Sequence, residues 1–178
     1  MIKIEKSIQI AIVKNCSQQQ VENILKQLEK TETIANLLCN QCKFEQLTNG
    51  TMVLINNSCD GYHYLASVLS DMLGTTVMVF YTYDGNSWSY CLCDNGREID
   101  QFSKDKQFLS YIDEIDDTIS IGNVATVANC FNVKEENIAN YFELYLDRDK
   151  AYEDDEYTNI DCLQMLDFMR KLGFSYKF

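Results

Sequence analysis

Three consecutive stretches, residues 76–83 (TVMVFYTY), 88–93 (WSYCLC) and 97–102 (REIDQF), decide the fold class. They are rich in β-branched and aromatic residues or alternate apolar with polar positions, and both patterns are typical of strands. The links between them, 84–86 (DGN) and 94–96 (DNG), are tight-turn sequences that join neighbouring antiparallel strands. The three stretches are therefore predicted to form one antiparallel meander.

Upstream of this meander, which spans residues 76–102, strand patterns alternate with helix patterns. Residues 7–13 (SIQIAIV) alternate like a half-buried strand, and residues 52–55 (MVLI) have the apolar run of a buried strand. Ser17 and Gln20 form a capping-box sequence, which predicts that a helix begins there. These patterns predict a sheet with helices packed on it.

Downstream of residue 103 the strand patterns end and helical patterns take over. The whole chain is predicted to be a single α+β domain over residues 1–178, with a sheet-containing part, 1–103, and a helical part, 104–178. The sheet is predicted to be mixed and to have about five strands, with the meander as its C-terminal portion.

The composition is typical of an intracellular globular protein. The chain has 178 residues, enough for a core without disulfides or metal, and no apolar run reaches the length of about 18 residues that spans a membrane. The N-terminal stretch has no apolar segment of the signal-peptide type, so a cytoplasmic location is expected. In that compartment the eight cysteines are expected to be reduced thiols.

The charge of the chain restricts its partners. There are 27 Asp and Glu residues against 15 Lys and Arg residues, which gives a net charge of −12. Such a surface repels phosphate backbones and anionic lipids, so neither nucleic acid nor a membrane is expected as a partner. A charged partner is expected to be a basic protein.

Cys59 and His63 are the pair of residues most suggestive of catalysis. His63 is the only histidine, and Cys59 is placed by the pattern at the start of a helix, where the helix dipole favours a thiolate. The four-residue spacing brings both onto one helical face. A cysteine-dependent enzyme is therefore an alternative hypothesis, although a third group to orient the imidazole is not evident from the sequence.

Four other cysteines raise the question of a metal. Cys39 and Cys42 form a C-x-x-C pattern and Cys91 and Cys93 a C-x-C pattern, and together they have the number of thiols that a structural zinc needs. The first pair lacks the turn glycines of a zinc knuckle, and the second lies on one face of a predicted strand, where small thiols pack well. We therefore expect no metal and no cofactor.

Three stretches carry a resemblance to known proteins: Asp60-Gly61-Tyr62 with the helix that follows, residues 94–102 (DNGREIDQF) and residues 150–156 (KAYEDDE) with the helix that follows. Over residues 55–176 the chain resembles an uncharacterised set of small stand-alone bacterial α+β proteins. In size and charge it is also similar to the immunity proteins that neutralise bacterial toxins. The resemblance implies a bacterial cytosolic protein, and no catalytic residues are carried over with it.

An acidic stretch near the C-terminus, residues 147–161, is the predicted binding site. Irregular loops on a rigid scaffold are where recognition residues concentrate, and carboxylates are expected at the surface. The predicted site residues are Asp147, Asp149, Tyr152, Glu153, Asp154, Asp155, Glu156 and Tyr157.

The preferred hypothesis from the sequence is a non-enzymatic acidic binding protein, of the kind that inhibits a basic toxin domain. Carboxylates can mimic the phosphates that a nuclease binds, and they accelerate association with a basic partner. Two alternatives stay open, namely the cysteine-dependent enzyme and a structural domain with no dedicated partner.

Overall fold

The structure is a computed structural model, and it describes residues 8–55, 61–83, 85, 87–105, 120–144 and 147–176. The strands in these ranges are β1 (Ile8–Lys14), β2 (Lys43–Leu47), β3 (Gly50–Ile55), β4 (Thr76–Tyr83), β5 (Ser87–Asp94), β6 (Arg97–Ser103) and β7 (Ser120–Ile121). The α-helices are α1 (Gln18–Lys30), α2 (Tyr62–Leu73), α3 (Val124–Phe131) and α4 (Gln164–Lys171), and all of them are too short or too polar to cross a lipid bilayer. Short 3-10 turns lie at Cys39–Gln41, Glu135–Asn137 and Ala139–Phe142.

The strands form one sheet in the order β2-β3-β1-β4-β5-β6-β7 within the described ranges. Neighbouring strands are antiparallel except β6 and β7, which are parallel. β4, β5 and β6 are consecutive neighbours, which confirms the predicted meander. The sheet together with its helices confirms the α+β fold class.

The prediction of about five strands is too low, because seven are present in the described residues. β2 (KFEQL) is an edge strand, paired with β3 alone, and its residues are exposed or half-buried. A strand of this kind does not need the apolar pattern by which strands are recognised. β7 has two residues, too few for any periodicity.

Both faces of the sheet are covered, and each face has its own type of side chain. The face under α1 and α2 is made of small residues such as Val13, Val53, Val79 and Cys91. Small β-branched residues make a flat surface on which helices pack closely. The opposite face, which we call the aromatic face, is made of large residues, among them Phe80, Trp88, Tyr90 and Phe102.

The aromatic face is covered by α3, α4 and the turns between them. Phe168 of α4 packs edge-on against Phe80, with 5.9 Å between the ring centres, and lies 5.5 Å from Trp88. The Trp88 indole N–H, which would otherwise be buried without an acceptor, donates to the side-chain oxygen of Gln164 at 3.2 Å. The C-terminal segment is therefore attached to the sheet by both apolar and polar contacts.

The described part of residues 104–178 is less helical than predicted. α3 and α4 have eight residues each, and the described chain between them runs through 3-10 turns and an irregular segment. The physical reason is that side-chain carboxylates accept the backbone N–H groups that a helix would pair internally. The residues involved are Asp155, which accepts from Tyr152, and Asp167, which accepts from Glu156 and Tyr157.

Gly50 provides a test of how closely β1 and β3 approach. Its φ is +148°, and a Cβ atom at this position would lie 2.0 Å from the backbone oxygen of Val13. Gly74, at the end of α2, has φ +60° and open space around a Cβ, the nearest atom being 4.0 Å away. Gly74→Ala should cost about 1 kcal/mol for the left-handed backbone alone.

Gly50→Ala should destabilise the protein by at least about 2 kcal/mol more than Gly74→Ala, because the β1 backbone must also move. Urea unfolding of both variants, followed by the fluorescence of Trp88, measures the difference. Equal losses of unfolding free energy would show that the two strands tolerate a wider separation.

Candidate functional site

The acidic segment, residues 147–161, leads from the 3-10 turn Ala139–Phe142 towards α4. The predicted site residues within it fall into two groups. Asp154, Asp155 and Tyr152 make contacts within the protein, whereas the other carboxylates point to solvent. Only the second group is available to a partner.

Asp155 is buried, with 3% of its surface exposed. Its Oδ1 accepts a hydrogen bond from the Tyr141 hydroxyl at 2.6 Å, and its Oδ2 accepts one from the backbone N–H of Tyr152 at 2.9 Å. Arg170 donates to the same carboxylate at 3.2 Å. The expectation that all the carboxylates of the segment lie at the surface is therefore wrong for Asp155, because this one has a full set of internal partners.

Asp167 is a second buried carboxylate, and it was not among the predicted site residues. It lies on α4 and is 3% exposed. Its Oδ2 accepts from the backbone N–H groups of Glu156 at 2.9 Å and Tyr157 at 2.8 Å. An aspartate between two apolar residues of an amphipathic helix (LDF) is the signal that could have indicated it.

Arg170 connects the two buried carboxylates. Its guanidinium lies 3.2 Å from Asp155 and 3.3 Å from Asp167, and it also donates to the exposed Asp154 at 3.0 Å. Lys171 donates to Asp154 as well, at 2.7 Å. We call Asp155, Asp167 and Arg170 the anchoring network, since together they attach the acidic segment to α4.

Burial and neighbouring positive charges shift the pKa values of the carboxyls in this region in opposite directions. Burial raises the pKa of Asp155 above its ordinary value, against the opposing effect of the hydrogen bonds from Tyr141 and Tyr152. The hydrogen bonds from Lys171 and Arg170 lower the pKa of Asp154 to about 2. Burial also places the pKa of Tyr141 far above its usual value, so its hydroxyl stays a donor to Asp155.

Tyr152 is an anchor and has little surface to offer a partner. Its hydroxyl donates to the backbone oxygen of Glu136 at 2.8 Å and accepts from the backbone N–H of Asn140 at 3.2 Å. Lys171 lies over its ring, 4.8 Å from the ring centre. The segment is thus fixed at its middle as well as at α4.

The exposed group contains four carboxylates: Asp147, Asp149, Glu153 and Glu156. Within the described residues none of the four forms an ion pair. Two apolar side chains lie among them, the half-buried Tyr157 and Ile160, which is 89% exposed. A cleft of about 410 Å³ runs beside Ile160 and is lined by Asp147 and Asp149 among others.

His63 and the cysteines bear on two hypotheses made from the sequence, a cysteine-dependent enzyme and a site of four thiols. Cys59 lies outside the described residues, so its pairing with His63 stays a prediction. The His63 Nδ1 atom lies 3.2 Å from both carboxylate oxygens of Glu98 on β6. The seven cysteines in the described ranges are free thiols.

One group of side chains in the described part of the chain could hold a metal ion. It consists of His63, Cys91 and Glu98, whose ligand atoms lie within 4.8 Å of one another. Cys39 and Cys42 do not join it, so the four thiols considered from the sequence do not form one group among the described residues. Glu98 was not predicted as a site residue.

Comparison of the chain with known proteins finds no relative. No protein-family model, no curated protein and no solved structure matches it. The resemblance to small bacterial proteins and to immunity proteins therefore stays a prediction, and a function must be inferred from the geometry of the side chains.

The anchoring network can be tested through stability. Asp155→Ala should lower the free energy of unfolding by about 2–3 kcal/mol, because the Tyr141 hydroxyl and the Tyr152 N–H lose their buried acceptor. Glu153→Ala, which removes an exposed carboxylate two residues away, should change it by less than about 0.5 kcal/mol. Urea unfolding measures both, and a small effect of Asp155→Ala would contradict the anchoring role.

Proposed function

We propose that this chain is a non-enzymatic acidic binding protein that inhibits a basic protein in the manner of a toxin-immunity protein. The observation that carries the proposal is a surface of four carboxylates, Asp147, Asp149, Glu153 and Glu156, none of which forms an ion pair with a described residue. The segment that holds them is fixed by hydrogen bonds to the buried carboxylates of Asp155 and Asp167. The binding site is this surface together with Ile160 and Tyr157.

Rigidity matters to this proposal because binding a flexible loop costs entropy. Each side chain or loop residue that becomes ordered on binding opposes association by about 0.5–1.5 kcal/mol. The anchoring network and the contacts of Tyr152 order the acidic segment before any partner arrives. The exposed carboxylates are therefore presented in a fixed arrangement.

Charge supports a basic partner and a fast encounter. The net charge of the chain is −12, and Arg170 and Lys171 are already paired with carboxylates of the protein. The four exposed carboxylates face solvent, where they attract the cationic surface of a partner and raise its association rate. A row of carboxylates can also occupy a site built for phosphates, so a nuclease toxin domain is the basic partner we favour.

Ile160 and Tyr157 give this acidic surface an apolar component. Ile160 is 89% exposed, and Tyr157, three residues earlier in the sequence, is half-buried. Interfaces concentrate their binding energy in a few central apolar or aromatic residues surrounded by polar ones. We place the centre of the contact at these two side chains, with the carboxylates around them.

A charge-matched pair of variants tests where the partner binds. The first carries Asp149→Asn, Glu153→Gln and Glu156→Gln. The control carries Glu22→Gln, Glu32→Gln and Asp71→Asn, which remove the same charge near α1 and α2, on the opposite face of the sheet. Any difference between the two therefore comes from position and not from net charge.

The partner is obtained by affinity capture at low salt, and each captured basic protein is then purified and tested singly. We expect the first variant to bind about three- to tenfold more slowly than the wild type at low salt, and the control to stay within about twofold. About 0.5 M salt should remove most of the difference by screening. Equal rates for the two variants would place the contact elsewhere.

Binding does not by itself show inhibition, so inhibition is tested by the growth of a host cell. A captured protein that stops growth when it is produced alone in a host cell should be tolerated when this chain is produced with it. The wild type and the control variant should both restore growth, and the first variant should do so less well. Failure of the wild type to protect against any captured protein would refute the immunity role.

A further inference from the structure

A cluster of metal-binding side chains lies on the opposite face of the sheet from the acidic segment. His63 is in the first turn of α2, Cys91 and Cys93 are on β5, and Glu98 is on β6. The two cysteines belong to the core under α1 and α2 and are fully buried. His63 and Glu98 are half-buried at the edge of that core, with side-chain exposures of 35% and 21%.

A β-bulge brings Glu98 to this cluster. The pairing of β5 with β6 shifts between Leu92 and Cys93, so that Leu92 faces Asp100 while Cys93 faces Glu98. Ile99 is the extra residue, and it packs on the aromatic face. With regular alternation Glu98 would lie on that face too, whereas the bulge turns it towards the cysteines. Bulges often redirect a side chain in this way next to functional sites.

Two distances in the cluster are close to those between zinc ligands. The His63 Nδ1 lies 3.2 Å from Glu98, and the Cys91 and Cys93 sulfurs are 3.8 Å apart. In a tetrahedral zinc site with bonds of about 2.0–2.3 Å, neighbouring ligand atoms are about 3.3–3.8 Å apart. The ligand atoms of His63, Cys91 and Glu98 all lie within 4.8 Å of one another, and Cys93 is the direct cross-strand neighbour of Glu98.

We propose that His63, Cys91, Cys93 and Glu98 bind one zinc ion. No metal was expected from the sequence, where the only ligands considered were the thiols of Cys39, Cys42, Cys91 and Cys93. The bulge that turns Glu98 towards Cys93 cannot be recognised from that pattern. With four protein ligands the site has no open position for water or substrate. It is therefore a structural site, of the kind that holds elements of a fold together. The elements it joins are α2 and the meander.

The ligand set of the cluster suits zinc, because thiolate, imidazole and carboxylate are the groups that bind this ion in proteins. Zinc binding converts each ligating thiol to a thiolate and releases one proton to solvent. Two thiolates and one carboxylate then surround the ion, and the neutral imidazole completes the coordination.

The aromatic neighbours of the cluster fit the same interpretation. Tyr62 packs against the His63 ring with 4.3 Å between the ring centres, and it stacks on Tyr81 of β4 at 5.3 Å. These contacts limit the orientations of the imidazole. Its partial exposure leaves a path by which an ion can reach the buried sulfurs.

The test uses the untagged full-length chain, freed of metal with a chelator, kept reduced and titrated with Zn²⁺ alone. We expect one zinc ion per chain by elemental analysis, a Kd below about 1 μM and the release of two protons per ion. Cobalt, bound in place of zinc, should give the near-ultraviolet absorption of a thiolate-bound ion. Fewer than 0.1–0.2 zinc ions per chain at saturation, roughly the background of such a measurement, would overturn the proposal.

Substitutions at the two half-buried ligands assign the site without disturbing the core. His63→Gln and Glu98→Gln should each weaken zinc binding by at least about a hundredfold. Cys39→Ser is the control, because Cys39 is a buried cysteine of the same core outside the cluster. Circular dichroism checks that each variant is folded. Unchanged affinity in both His63→Gln and Glu98→Gln would show that the ion is bound elsewhere. The result does not depend on the proposed partner.

Discussion

The fold depends on the requirement that the central strands be buried on both faces. β5 shows this most clearly, because Trp88, Tyr90 and Leu92 face α4 while Cys91 and Cys93 face α2. The size of the side chains on each face determines which kind of structure can pack against it. Regular helices pack closely on the small residues, whereas irregular turns and short helices fill the spaces between the large ones.

Local sequence patterns were sufficient to predict the elements that depend on local contacts. The meander was recognisable from its turns, and the capping box at Ser17 and Gln20 forms at the start of α1 as expected. The features that were missed do not appear in the periodicity of the residues that form them. β2 pairs along one edge only, the bulge at Ile99 reverses the side of Glu98, and Asp155 is satisfied by Tyr141 and Arg170.

The same limit applies to the candidate site. The acidic segment was identified by composition, and composition does not separate a carboxylate that supports the segment from one that faces a partner. Asp155 and Glu156 are adjacent, yet the first is buried against Tyr141 and the second is exposed. The backbone N–H groups of the segment decide the difference, because they turn towards the carboxylates of Asp155 and Asp167. A buried acid of this kind determines the shape of the loop, and the exposed acids determine its charge.

The sheet order also has a consequence for the nascent chain. β1 pairs with β3 on one side and with β4 on the other, and its contact of Ile8 with Thr82 joins residues 74 positions apart. The ribosome therefore exposes the apolar stretch Ile10–Ala11–Ile12–Val13 well before either neighbour has been synthesised. Until β4 emerges, this segment is an unpaired edge that is open to chaperones and to self-association. The speed of translation through residues 14–83 sets how long that interval lasts.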